Sequence, residues 1–303
     1  MNHEPDELYT LRNLFWLGNF QQAISEATGM KKCPSNLLSE KSEYMYRSYL
    51  ALGQYDVITS EINNDSVLSL QGIKVLAQVL SGNIDKDVGI IQLQDWLNAD
   101  SISTSIPTTL QLILSILYSM EGGSGGANLS EAIKMIHSGN TMEHLALLVQ
   151  LYIRLDRLDY AKTHVSKMKN IDEDCALTMM SLAAVHLSTL PSTKAQEAGY
   201  IYEELGDKYG SSALLLNCQA VSKMHQQMFN EAEQLLIDAL SKSPNDPETL
   251  ANLIVVGQHL QKDNEITKRY LNQLKKVAPN HVLSNQLAVF EGAYDRVGAT
   301  LQV

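Results

Sequence analysis

The chain reads as all-α, a stack of short helix pairs, and three observations predict it. Apolar residues recur at three- and four-residue spacing, as in "ALLLNCQAVSKM" (213–224) and "EAEQLLIDALSKS" (231–243), the period of one buried helix face. No convincing alternating apolar–polar run suggests a strand, and no Asn-Gly or Asp-Gly hairpin joins strand-like runs. The seven prolines fall where helices should start or stop. At Asp246-Pro247-Glu248, Asp accepts N–H bonds as an N-cap, and Pro at the first helical position gives up no internal bond.

One unit of sequence comes back. "LGNFQQAI" (17–24) is matched by "LGQYDVI" (52–58), so that Gly18, Phe20 and Ala23 correspond to Gly53, Tyr55 and Ile58. Glycine tolerates the left-handed turn that ends a first helix, and the ring and apolar residue open its partner. The clearest copy runs from Ala213 to Asp246. Leu216 and Ala220 face inward on its first helix, and Gln226-Gln227 make its turn. Phe229, Ala232, Leu236 and Ala239 line its second helix, which Pro244 closes. Small residues stand where two helices cross closely, and larger ones fill the groove beside them. The period of about 34 residues and these residue types match the tetratricopeptide pattern. Weaker copies lie at Leu129 with Ala132, at Leu158 with Ala161, and around Ala198, Tyr202 and Leu205. Each pair buries one face against its neighbours, so the set should stack as one solenoid over 1–303 with short frayed termini and at most about nine pairs.

Composition narrows the function. Against 34 Asp and Glu stand 23 Lys and Arg, a net charge of −11, with no basic run that could hold a phosphate backbone or an anionic lipid. The three cysteines, Cys33, Cys175 and Cys218, are odd in number and far apart, which fits a reduced, intracellular protein and neither a disulfide framework nor a zinc site. The start, "MNHEPDELYT", lacks a signal segment. Residues 101–120 and 175–193 are long uncharged or nearly uncharged stretches, but Ser, Thr, Gln and Pro make them better buried helices than membrane spans.

Catalytic and metal-binding readings fail on context. Gly122-Gly123-Ser124-Gly125-Gly126 satisfies GxSxG formally, yet the nucleophile elbow needs a rigid strand-to-helix turn and an oxyanion loop. A Ser124 surrounded by glycine is a flexible turn, and Asn128 with Glu131 reads as the cap of the helix after it. At most the turn marks a slight hinge between two parts of one array. His137 and His144 are separated by Gly139, and no HExxH occurs, so they read as ordinary surface or boundary histidines. Glu203-Glu204 and Asp172-Glu173-Asp174 are solvated or capping acids. No catalytic residue, cofactor or metal is expected.

The candidate contacts are with a protein partner. Aligning the first two pairs on Gly18 and Gly53 puts Arg12 opposite Arg47 and Phe15 opposite Leu50, with Trp16 on the same side. Arginines in equal phase, flanked by apolar residues, are placed to clamp an acidic or backbone-rich segment on the inner face. The plainer alternative makes Phe15 core and gives the arginines to local helix ends. Lys268 and Asn272, a Lys-to-Asn pair of the kind that clamps carboxylates on first helices, fall on an expected second helix instead, which disfavours a chaperone adaptor.

Several blocks outside the repeat consensus strongly resemble the coatomer epsilon subunit family, in a plant-like form. They are "SSALLLNCQAVSKM", "FNEAEQLLIDALSKSPNDPETLANLIVV", "RYLNQLKKVAPNHVL", "YTLRNLFWLGNFQQAISEA", "HSGNTMEHLAL" and "NIDEDCALT". The chain departs from that family at Cys218, at the missing turn glycine of "MHQQMF", and in a local insertion, "GGSGG". The resemblance implies a non-enzymatic COPI coat subunit whose helices curl toward a closed ring around a hairpin of the alpha subunit's carboxy-terminal region. It implies indirect contact with the remaining coatomer subunits, and with the Arf GTPase through the whole coat. It also implies a cytoplasmic protein, peripheral on Golgi membranes and COPI vesicles without inserting, that serves Golgi-to-ER retrograde and intra-Golgi transport. An adaptor for an unrelated cytosolic client is the alternative.

Overall fold

The computed structural model describes residues 6–30, 33–99, 108–120, 127–189 and 192–301, and among them every regular element is an α-helix. Contacts divide the chain into two units, Met1–Ser188 and Thr189–Val303. The division lies away from the glycine-rich stretch, whose residues 121–126, Ser124 included, fall outside the described residues.

Unit 1 contains α1 (Tyr9–Trp16), α2 (Phe20–Gly29), α3 (Leu38–Ala51), α4 (Tyr55–Glu61), α5 (Leu68–Leu80) and α6 (Lys86–Ala99). It continues with α7 (Thr108–Ser119), α8 (Leu129–Ile136), α9 (Met142–Arg154), α10 (Leu158–Ile171) and α11 (Ala176–Leu187). Unit 2 contains α12 (Ser192–Tyr209), α13 (Ala213–His225), α14 (Phe229–Lys242), α15 (Pro247–His259), α16 (Asn264–Val277) and α17 (Val282–Leu301).

The expected turn is present and recurs beyond the glycines. Gly18 (φ +81°) and Gly53 (φ +72°) sit in the left-handed region, and so do Asp156 (φ +56°), Gln227 (φ +63°) and Gln261 (φ +52°). In each case the next amide reaches five residues back, as in Asn19 to Leu14, Gln54 to Tyr49, Arg157 to Tyr152, Met228 to Lys223 and Lys262 to Gly257. This is the Schellman pattern that satisfies the last carbonyls of a helix. The missing glycine at 226–227 therefore leaves the turn geometry unchanged, because Gln227 adopts it.

Helix starts follow the chemistry of their caps. Asp246 accepts from the Thr249 amide at 2.8 Å with Pro247 opening α15, Ser212 accepts from Leu215, and Asn128 accepts from Glu131. In unit 2, Ala220, Ala232, Leu236 and Ala239 are fully buried where α13 and α14 cross, with Phe229 beside them and stacked on His259 at 4.2 Å. Ser222 donates to the Ala195 carbonyl at 2.6 Å, a contact that needs Gly199: a Cβ there would lie 2.7 Å from the Ser222 hydroxyl oxygen.

Unit 1 adds a contact that a linear stack would lack. Its odd-numbered helices touch in series from α1 through α11, and α1 also meets α11, so that they form a closed circuit. The two uncharged stretches supply core: Leu110, Leu114 and Leu117 of α7 and Ala176, Ala183 and Val185 of α11 are buried. The part of the first stretch at 101–107 lies outside the described residues. Among the described residues no helix is long and apolar enough to cross a membrane.

Candidate partner-binding site

Four odd-numbered helices of unit 1 frame a cavity of about 280 Å³. Helix α1 contributes Arg12 and Trp16, and α3 contributes Glu40, Glu43, Tyr44 and Arg47. Thr108, Thr109 and Leu112 come from α7, and Thr141, Met142 and Glu143 from the start of α9. Residues spaced by three and four along α3 share one side of that helix, which explains why 40, 43, 44 and 47 face the same space.

Glu143 is the centre of the arrangement. One carboxylate oxygen accepts from the Trp16 indole N–H at 2.8 Å and the other from Arg47 Nη1 at 2.9 Å. The Arg47 guanidinium lies over the Phe15 ring, 4.6 Å from its centroid, and 5.3 Å from that of Tyr44. Phe15 packs edge-on against both Phe20 and Tyr44. Three helices that are remote in sequence, α1, α3 and α9, are thus tied by one carboxylate. Its place in the first turn of α9, after the Thr141 cap, adds the favourable field of the helix amino terminus.

The protonation equilibria reflect this closure. Burial pushes the Glu143 carboxyl up, but the charge of Arg47 and the bonds from Arg47 and Trp16 outweigh it, so the group is held below its ordinary range. Burial opposes the Arg47 charge, and Glu143 more than restores it. Tyr44 is raised, first by burial and then by Glu143, and stays a phenol. Beside them His144 is fully buried, a correction to its reading as a surface or boundary residue, and burial holds it below the usual imidazole value. Its Nδ1 meets the Thr141 hydroxyl, and Gly139 is pressed against its ring, where a Cβ would clash. His144 is a packing group, and among the described residues no cluster of three or more His, Cys, Asp or Glu could hold a metal ion.

The five residues singled out as partner contacts have distinct places. Arg12, Trp16 and Arg47 line the cavity, whereas Phe15 packs in the aromatic cluster behind it and Leu50 packs against the core around Leu76 and Leu110. Both arginines are already matched. Arg12 pairs with Asp6 at 2.6 Å and with Glu40 at 2.7 Å, and Arg47 with Glu143. Arg12 has one local partner, Asp6, and one in the first turn of α3, Glu40, and Arg47 reaches across 96 residues. Sequence reasoning missed Glu143, Glu43 and Thr109. The one available signal was Thr141 two residues before Glu143, which marks a helix start and says nothing of what the carboxylate meets. Lys268 and Asn272 lie on α16, the second helix of its pair, as expected.

Comparison with known proteins concerns the whole chain. The family model described as "Coatomer epsilon subunit" matches residues 4–302. The chain is 40% identical to coatomer subunit epsilon-1 of Oryza sativa subsp. japonica, over 96% of this chain and 97% of that one. It is 38% identical to coatomer subunit epsilon-2 of Arabidopsis thaliana, over 98% and 97% of the two chains. Against coatomer subunit epsilon of Dictyostelium discoideum the identity is 32%, over 91% and 92%. Among solved structures, a chain of the APC/C hetero-tetramer Cut9-Hcn1 superposes with TM-score 0.61 at 15% identity, covering 91% of this chain and 54% of that one. A tetratricopeptide repeat protein from Parabacteroides merdae gives TM-score 0.59 at 12% identity, covering 88% and 96%. At that identity the likeness concerns the fold alone, an all-α tetratricopeptide-like solenoid.

Proposed function

The chain belongs to the coatomer epsilon subunit family, and from that premise we propose that it is a non-enzymatic structural subunit of the COPI vesicle coat. In this reading it binds the carboxy-terminal region of the alpha subunit and reaches the remaining subunits and the Arf GTPase through the assembled coat. It acts at the cytosolic face of Golgi membranes, in Golgi-to-ER retrograde and intra-Golgi transport. The observation that carries the reading is the family match across residues 4–302, together with two relatives of which it covers 97% each.

The cavity of unit 1 is the proposed contact surface. Arg12 and Trp16 stand at its wall, Arg47 shapes it by holding Glu143, and Phe15 and Leu50 act from behind by fixing α1 and α3. A chain of net charge −11 has little to hold it on an anionic bilayer, and the basic helix α16 turns its apolar residues Tyr270, Leu271 and Leu274 into the core of unit 2, so the chain is recruited by its partner.

The test is size-exclusion chromatography and calorimetric titration of the full chain with a purified carboxy-terminal fragment of the alpha subunit. A stoichiometric complex is expected, together with no sedimentation of the free chain on anionic vesicles at physiological salt. Absence of the complex, with recovery of unrelated cytosolic clients in a pull-down, would favour an adaptor role instead.

A further inference from the structure

The cavity of unit 1 carries a charge imbalance of a definite sign. Three carboxylates line it, Glu40, Glu43 and Glu143, against two guanidinium groups, Arg12 and Arg47. The two arginines are committed, Arg12 to Asp6 and Glu40 and Arg47 to Glu143. Glu43 is left over. Its carboxylate accepts from the hydroxyl of Thr109 on α7, with Ser39 at 3.5 Å, and among the described residues no Lys or Arg lies within ion-pair distance of it. The charge of Arg47 reaches Glu43, but its Nη1 bonds to Glu143 and it makes no ion pair with Glu43. A carboxylate on a cavity wall with only hydroxyl donors is an acceptor without its strongest class of partner.

The surroundings suit a long cationic side chain. Threonine hydroxyls at 108, 109 and 141 can accept from an ammonium or guanidinium head, and Trp16 on the same wall offers apolar surface to the aliphatic stem. A volume of about 280 Å³ admits one such side chain and some water, not a folded element. The arginines alone suggest an acidic visitor, and their pairing reverses that sign.

Resting on the reading that the chain binds the alpha subunit, we infer that the unit 1 cavity is the socket for a lysine or arginine side chain of the partner segment, paired with Glu43. The partner contributes the cation, and the hydroxyl-lined wall orients it.

Calorimetric titration of the full chain with the purified carboxy-terminal alpha-subunit fragment, at low and at raised salt, tests this. Glu43→Gln keeps the contact with Thr109 and should melt like the wild type. It should weaken binding roughly 10- to 100-fold at low salt and flatten the salt dependence. Glu43→Lys should abolish binding, and reversal of one Lys or Arg of the fragment to Glu should restore it. Equal affinity and equal salt dependence for wild type and Glu43→Gln would overturn the inference while leaving the coat reading intact. A wild-type chain that fails to bind the fragment would remove both. Should Glu43→Gln melt lower than wild type, the charge swap decides, and lack of rescue by every reversal counts against the socket.

Discussion

Unit 2 is held together by neighbours, and unit 1 is held together by a closure. In unit 2 each helix meets the next, α12 with α13, α13 with α14, and so on to α17, and α13 also meets α15. Asn252 bonds to Asn217 at 2.7 Å across 35 residues, one repeat. In unit 1 Glu143 bonds to Arg47 across 96 residues and to Trp16 across 127. Nearest-neighbour stacking distributes stability over many equivalent apolar contacts. A closing contact concentrates it in a few unique polar ones, which have no copy elsewhere to compensate for their loss.

The largest test of this contrast removes the tie. Glu143→Ala leaves the largely buried Arg47 without its counter-charge and should cost up to about 3–5 kcal/mol, less whatever the open cavity returns as solvation. Replacing both Arg47 and Glu143 by methionine should recover most of that, since a buried pair exchanged for apolar groups is often neutral. Thermal melts measure the sum. Hydrogen exchange locates it, with protection lost in α9 and retained in α13. Acid should act in the same direction. The native carboxyl of Glu143 titrates below its unfolded value, so its stabilisation is full above the ordinary carboxylate range and is lost as pH falls through the lower native value. A single mutant as stable as the double one would remove the closure argument.

The corresponding injury to unit 2 should be smaller. Ala232 is fully buried at the crossing of α13 and α14, and Ala232→Leu should force the pair apart at about 1–3 kcal/mol through overpacking. Neighbouring pairs can absorb part of the displacement, as a stack permits and a closed circuit does not. A melt showing no change would refute the close crossing at that residue.

The same contrast explains what the sequence disclosed. Gly18 with Phe20, Gly53 with Tyr55, Asp246 with Pro247, and the Ala220–Ala232 crossing are local or one-repeat relations, and periodic residue types report them directly. Helix pairing and the all-α solenoid were therefore legible. The histidine at 144 was misjudged because its burial depends on Gly139 and the α8–α9 connection, which no periodicity encodes. Glu143 and Glu43 were invisible for a related reason. A glutamate in a first turn or on a helix face has an ordinary solvated meaning, and only the return of α9 to α1 and α3, for Glu143, and of α7 to α3, for Glu43, gives it another. Arg12 and Arg47 were found by phase, but phase fixes which side of a helix a residue takes and leaves open which carboxylate is already there.

The smallest expected effect compares turns that share a geometry and differ in residue. Gly53 and Gln227 occupy the same left-handed position, and Gly53 has nothing within 4 Å of where a Cβ would stand. The cost of a side chain there is thus backbone strain alone, about 1–2 kcal/mol. Glycine also loses more conformational freedom on folding, by roughly 0.5–1 kcal/mol. The difference leaves Gln227→Gly stabilising by about 0.5 kcal/mol and Gly53→Gln destabilising by a similar amount. Paired melts of the two variants check the sign as well as the size. Opposite shifts of equal magnitude are expected if the turn is one device used in both units. A fall in melting temperature for Gln227→Gly would mean that the Gln227 side chain supports unit 2 through contacts of its own, and the turn would no longer be interchangeable between the two units.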